Sequence, residues 1–196
     1  MSRTKAFEPD EVLERAMHTF WRYGYEGTST QILERELGIN RSSIYATFGS
    51  KAALYQKALR HYTSESTMWA VVQPGTLDGD EPLADKVAKV LWSAVDADMR
   101  AKRERGCFAV NAAVELAPDD VEIRKIFTAS IRSARRVFRD AFVVAQRSGE
   151  LSPDADPEAL ASMMMAVLDG LHVLAKGTAD RRLLKQAIQG ATTALR

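Results

Sequence analysis

The chain has 196 residues, is 46% hydrophobic and carries a formal net charge of +1 at pH 7. That length and apolar share suit a real core in one large domain, or in a small domain joined to a bigger one, and the near-neutral charge excludes a polycation, so any nucleic-acid role must rest on a local patch. The single cysteine, Cys107, excludes an internal disulfide framework; the N-terminal run MSRTKAFEPDEV lacks the apolar stretch of a signal peptide, and no charge-free run approaches bilayer length, so the chain reads as cytosolic and soluble, without a membrane role.

Helical periodicity recurs along the chain and strand alternation is absent, which predicts an all-α protein of about nine helices. The first runs from Pro9 to Tyr23, with proline tolerated in its first turn, Asp10 and Glu11 at its positive end, an apolar face of Val12, Leu13, Ala16 and Phe20, and Gly24 as its stop. The second starts at Thr28 or Ser29, where Thr28 and Gln31 have capping-box spacing. Gly38 permits a tight turn, Asn40 caps a third helix from Arg41 to Phe48, and Ser50 caps a fourth from Lys51 to about Trp69. After the loop QPGTLDGDEP, helices are predicted at 83–102, 105–117, 119–148, 155–176 and 180–195.

Two short helices joined by a glycine-containing turn form a helix-turn-helix signature. The second helix of such a pair enters the major groove with its N-terminal residues leading, which here are Arg41, Ser42 and Ser43. Arginine donates to guanine or phosphate, and serine donates or accepts at a base edge or the backbone. Tyr45 can donate its hydroxyl to phosphate, and Lys51 sits at the next helix start, where free N–H groups favour an anion. Thr28 and Thr30 can do the same at the second helix. The competing reading gives these residues ordinary capping and surface roles; Ile44 and Phe48, four apart, are read as core.

The run TSTQILERELGINRSSIYATFGSKAALYQKAL resembles the DNA-binding signature of the TetR family of bacterial transcriptional repressors. Phe20 and Gly24 match the end of that family's first helix, Thr28 to Thr30 its threonine-rich helix start, and Gly38, Ile39 and Asn40 the turn. Tyr45, Phe48, Lys51 and Leu54 complete the pattern, over about residues 7 to 60. The chain departs from it in the bulky pair Ile32 and Leu33 and in the acidic stretch Glu34 to Glu36. The resemblance implies a helix-turn-helix head over 1–50, a helical effector-binding and dimerisation domain over 51–196, and double-stranded operator DNA as partner. It carries over Arg41, Ser42 and Ser43 as base or backbone contacts, and Thr28, Thr30, Tyr45 and Lys51 as mainly phosphate contacts.

The resemblance also implies a homodimer built on the last two helices, with Met164, Leu168, Leu171, Leu184 and Ile188 on the shared surface; an internal core is the alternative. A small-molecule effector would then meet Trp92, Met99, Phe108, Asn111, Glu115, Phe127 and Ile131, with His172 and Cys107 assigned to the same set. Cys107 lies in the first turn of a predicted helix, just after Lys102, Arg103 and Arg105, features that stabilise a thiolate. The stretch resembles a branch of the family that senses electrophiles or oxidants through cysteine; the alternative is a buried small hydrophobe. With no second cysteine, such sensing means alkylation, sulfenic acid, a mixed disulfide or a bridge between subunits.

An enzyme is not expected. His18, His61 and His172 lack metal-ligand spacing, and no phosphate-binding glycine loop or nucleophile elbow occurs, so neither metal nor cofactor is implied. A helical protein-binding adaptor and an activator of the same family remain the rival readings.

Overall fold

A computed structural model describes residues 7–65, 72–100, 106–178 and 180–195. Within them the chain forms nine α-helices and no strand. They are α1 (Pro9–Tyr23), α2 (Thr30–Leu37), α3 (Arg41–Phe48), α4 (Lys51–Glu65), α5 (Leu83–Arg100), α6 (Phe108–Leu116), α7 (Val121–Ser148), α8 (Pro157–Gly177) and α9 (Arg181–Thr193). The boundaries of α1 and α3 match the sequence reading residue for residue. The expected end of α4 at Trp69, and the basic residues Lys102, Arg103 and Arg105, lie outside the described residues.

At the starts of α7, α8 and α9, aspartate caps explain the shift from the sequence reading. Asp120, Asp156 and Asp180 each accept two backbone N–H groups from the first turns of α7, α8 and α9, so these helices begin just after a residue counted as helical. α2 is capped by Ser29, whose hydroxyl accepts the Ile32 N–H at 3.2 Å, and not by Thr28.

Two cores form. The first joins α1 to α4 with Cys107, α6 and the start of α7: Phe20, Leu33, Leu37, Ile44, Tyr55, Tyr62, Phe108 and Ile123 are buried together. The second joins α5, the rest of α7, α8 and α9, around Val87, Leu91, Phe138, Phe142, Met164 and Leu168. The head's core therefore reaches well past residue 50 and takes in α6. Full burial of each such side chain contributes roughly 1.5–3 kcal/mol.

The residues expected on a dimer surface sit inside the protomer. Met164, Leu168, Leu171, Leu184 and Ile188 are at most 3% exposed. α8 is apolar on two faces, so periodicity alone did not tell its inner face from its outer one. The outer face carries Met163, Ala166 and Val173, and that of α9 carries Leu183 and Gly190, with Ala194 exposed just past its end. By length and composition α8 is apolar enough to cross a membrane. Its Met164, Met165, Leu168 and Leu171 are instead packed in the second core, and Glu158, Asp169 and Lys176 interrupt it.

Candidate nucleic-acid interface

α2 and α3 are held at a fixed angle by their connection. Gly38 ends α2 in the left-handed conformation, φ +68°, which a side chain would strain. Asn40 Oδ1 then accepts the Ser43 N–H at 2.8 Å and the Ser42 hydroxyl at 2.7 Å. Glu34 Oε1 accepts the Arg41 N–H at 2.6 Å. The Thr30 and Tyr45 hydroxyls lie 3.2 Å apart, tying the start of α2 to the middle of α3. Leu33, Leu37, Ile44 and Phe48 face inward against Phe20 and Leu54.

This arrangement leaves Arg41 and Ser42 exposed at the leading end of α3, with Ser43 half-buried beside them. The Arg41 guanidinium stacks 5.6 Å from the centroid of the Tyr45 ring. Since Ser42 gives its hydrogen to Asn40, its oxygen is left as an acceptor, suited to an amino group on a base edge. Lys51 is half-buried over the Tyr25 ring, 4.3 Å from its centroid. Thr30, Tyr45, Arg41, Ser42 and Lys51 thus gather on or beside α3.

Thr28 does not join them. It is fully buried, and its hydroxyl donates to the Gly24 carbonyl at 2.5 Å. A buried threonine whose hydroxyl closes the preceding turn has no route to phosphate.

The residues expected at the effector divide between the two cores. Cys107 and Phe108 are buried in the head's core and Phe127 packs against it, whereas Trp92, Met99 and Ile131 pack against the second. His172 is buried in α8, and its Nδ1 lies 2.6 Å from Asp98 Oδ2 of α5; the other Asp98 oxygen is buried with no hydrogen-bond partner among the described residues. Nearby Asp169 has its carboxyl pushed up to about 6 by burial, against the opposing charge of His172. Asp98 and Asp169 were not singled out in the sequence. Asp98 could have been, because it continues the apolar phase Leu91, Ala94, Val95 of α5.

Phe108, Asn111 and Glu115 line a groove of about 490 Å³ between the end of α1, α6 and α8. A cleft of about 650 Å³ lies elsewhere, between residues 74–81 and the outer face of α7, and contains none of the expected effector residues.

Cys107 differs most from expectation. It is the N-cap of α6, 3% exposed, and burial pushes its thiol up to about 11. The Tyr62 hydroxyl lies 3.6 Å from its Sγ and donates to it. Burial outweighs the helix end that favoured a thiolate.

Residues 12–58 match the family described as bacterial regulatory proteins, tetR family, and residues 84–191 match a tetracyclin repressor-like C-terminal domain. An uncharacterised HTH-type transcriptional regulator of Bacillus subtilis (strain 168), YezE, is 32% identical over 196 residues, covering 100% of both chains. The HTH-type transcriptional repressor ComR of Escherichia coli (strain K12) is 27% identical, over 99% of this chain and 90% of that protein. A cysteine mutant of the TetR-family regulator CifR, complexed with 26-base-pair double-strand operator DNA, superposes with a TM-score of 0.83. It is 34% identical, over 98% of this chain and 99% of that one.

Proposed function

Because the chain belongs to the TetR family of bacterial regulatory proteins, non-catalytic DNA-binding regulators of transcription in the cytoplasm, we propose that it represses transcription as a dimer at a pseudopalindromic operator and is released by a small-molecule effector. The observation that carries this reading is the leading end of α3: Arg41 and Ser42 stand exposed on a helix whose pitch is fixed by Asn40, Glu34 and the Thr30–Tyr45 contact. Arg41, Ser42 and Ser43 read bases or backbone, while Thr30, Tyr45 and Lys51 hold phosphates. CifR, similar over nearly the whole chain, is a regulator seen on operator DNA, which supports the same partner here.

One head covers one major groove, so two copies are needed to read half-sites roughly 34–36 Å apart. The outer faces of α8 and α9 are the surface for that second copy. The glycines and alanines there allow close helix approach, and exposed Val173 and Leu183 gain from being covered. Introducing a charge by Val173→Glu should convert the dimer to a monomer in light scattering; an unchanged mass would place the interface elsewhere.

The effector is assigned to the body around α5 to α8. The enclosed, protonated Cys107 thiol favours reversible binding over thiol modification as the signal. Selection of bound duplexes from a random pool, followed by release assays with metabolites and thiol-reactive compounds, tests the proposal. A selected palindrome and effector-driven release support it. Enrichment of no duplex at low salt would leave a protein-binding adaptor as the better description.

A further inference from the structure

Glu115 stands near the end of α6, and its carboxylate crosses to the turn between α1 and α2. Its Oε2 accepts the Tyr25 N–H at 3.0 Å and its Oε1 accepts the Glu26 N–H at 2.9 Å. Two successive N–H groups of a turn make a concavity suited to an anion. Gly24 keeps that concavity open. Its φ is +73°, and a Cβ there would lie 3.1 and 3.2 Å from the two carboxylate oxygens. The carboxylate therefore fits against bare backbone.

α6 is also held at its start. Phe108 meets Tyr55 and Tyr62 edge-on at 5.4 and 5.5 Å, and the Trp21 indole N–H donates to the Gly106 carbonyl at 2.8 Å. From the other side, Lys176 of α8 donates to Asn111 Oδ1 in mid-α6 at 3.2 Å. One turn along α8 from Lys176 lies His172, paired with Asp98 of α5. Named contacts thus run from the body, through α6, to the turn that leads into α2.

We propose that Glu115 is a positioning residue that clasps α6 to the turn leading into α2 and so transmits effector binding in the body to the DNA-reading helices. The inference rests on the chain being a DNA-binding regulator. With the clasp closed, the turn at residues 24–27 holds α2 and α3 together in the orientation the operator requires. Displacement of α6 by an effector withdraws the carboxylate, and the head loses that orientation.

The test uses the full-length protein and the selected operator. Glu115→Ala should weaken operator binding roughly ten-fold, a common size for a coupling of this kind, while affinity for an unrelated duplex stays within about two-fold of the parent. Glu115→Gln keeps one acceptor oxygen and should recover part of the loss. A residue that only stabilised the fold would lower both affinities together. Hydrogen exchange at the Tyr25 and Glu26 amides supplies a second measurement that needs no DNA: protection in the parent should be lost in Glu115→Ala. Unprotected parent amides, or equal losses on operator and unrelated duplex, or an operator affinity unmoved by Glu115→Ala, would each overturn the clasp. A parent that shows amide protection but binds no duplex would instead count against the DNA-binding reading alone.

Discussion

The carboxylate of Glu34 accepts the backbone N–H of Arg41 at 2.6 Å, so an acidic side chain of α2 sits at the leading end of α3. A negative charge there stabilises the positive helix end in the free protein. On DNA the same charge stands close to phosphates and opposes them. Glu34→Gln should therefore bind operator and unrelated duplexes more tightly, by roughly five-fold at low salt, with the larger gain on the unrelated sequence. Competition binding at two salt concentrations measures both. Weaker binding to either would show that the carboxylate assists docking.

Thr28 and Tyr45 separate a fully buried hydroxyl from a half-buried one beside the exposed end of α3. Thr28 is fully buried and donates to Gly24, so Thr28→Ala should lower stability by about 1 kcal/mol in denaturant unfolding, with operator affinity following only the folded fraction. Tyr45 is half-buried beside Thr30. Tyr45→Phe removes the Thr30 contact and should lower stability by up to about 1 kcal/mol, while weakening binding of the folded protein to every duplex several-fold, because a phosphate contact carries no sequence information.

Burial of Cys107 has a kinetic consequence. A thiol pushed up to about 11 is a far weaker nucleophile at neutral pH than one near the ordinary value. Alkylation by iodoacetamide at pH 7.5 should run roughly 10²-fold slower in the native protein than in denaturant. Equal rates would show that the thiol opens readily and would revive sensing through modification.

Asp169 gives the stability a pH dependence of unusual sign. Its carboxyl is pushed up to about 6 by burial, so between about pH 4 and 6 the folded chain holds a proton that the unfolded chain has lost. Stability contributed by this group is full at low pH and falls as pH rises through that window, by an amount on the order of 2 kcal/mol. Asp169→Asn should remove that part of the slope. Denaturant unfolding of both proteins at pH 4.5 and 7 checks this; parallel slopes would contradict it.

The sequence was most legible where local chemistry acts alone. Pro9, Gly24, Gly38, Asn40 and Gly49 punctuate short helices, and punctuation of this kind needs no tertiary context. The exposure of Arg41 and Ser42 followed from their place at a helix start. Thr28 was misplaced because the capping-box spacing favours it over Ser29, whereas its burial against Gly24 leaves the cap to Ser29. The inner and outer faces of α8 could not be separated, since three consecutive methionines and six leucines or valines leave apolar residues on both sides of the polar line Glu158, Ser162, Asp169 and Lys176. Glu115 shows the other limit: its partners are ninety and eighty-nine residues away and are backbone groups, so no spacing announces them.

The most direct measurement of the central claim is operator affinity of Arg41→Ala against single-base variants of the selected duplex. Arg41 is exposed at the tip of α3 and stacked on Tyr45, outside both cores, so the fold should survive its truncation. The account predicts a loss of about 1–3 kcal/mol on the operator and relaxed preference at one base pair in each half-site. Unchanged affinity with unchanged base preference would contradict α3 as the element that reads DNA.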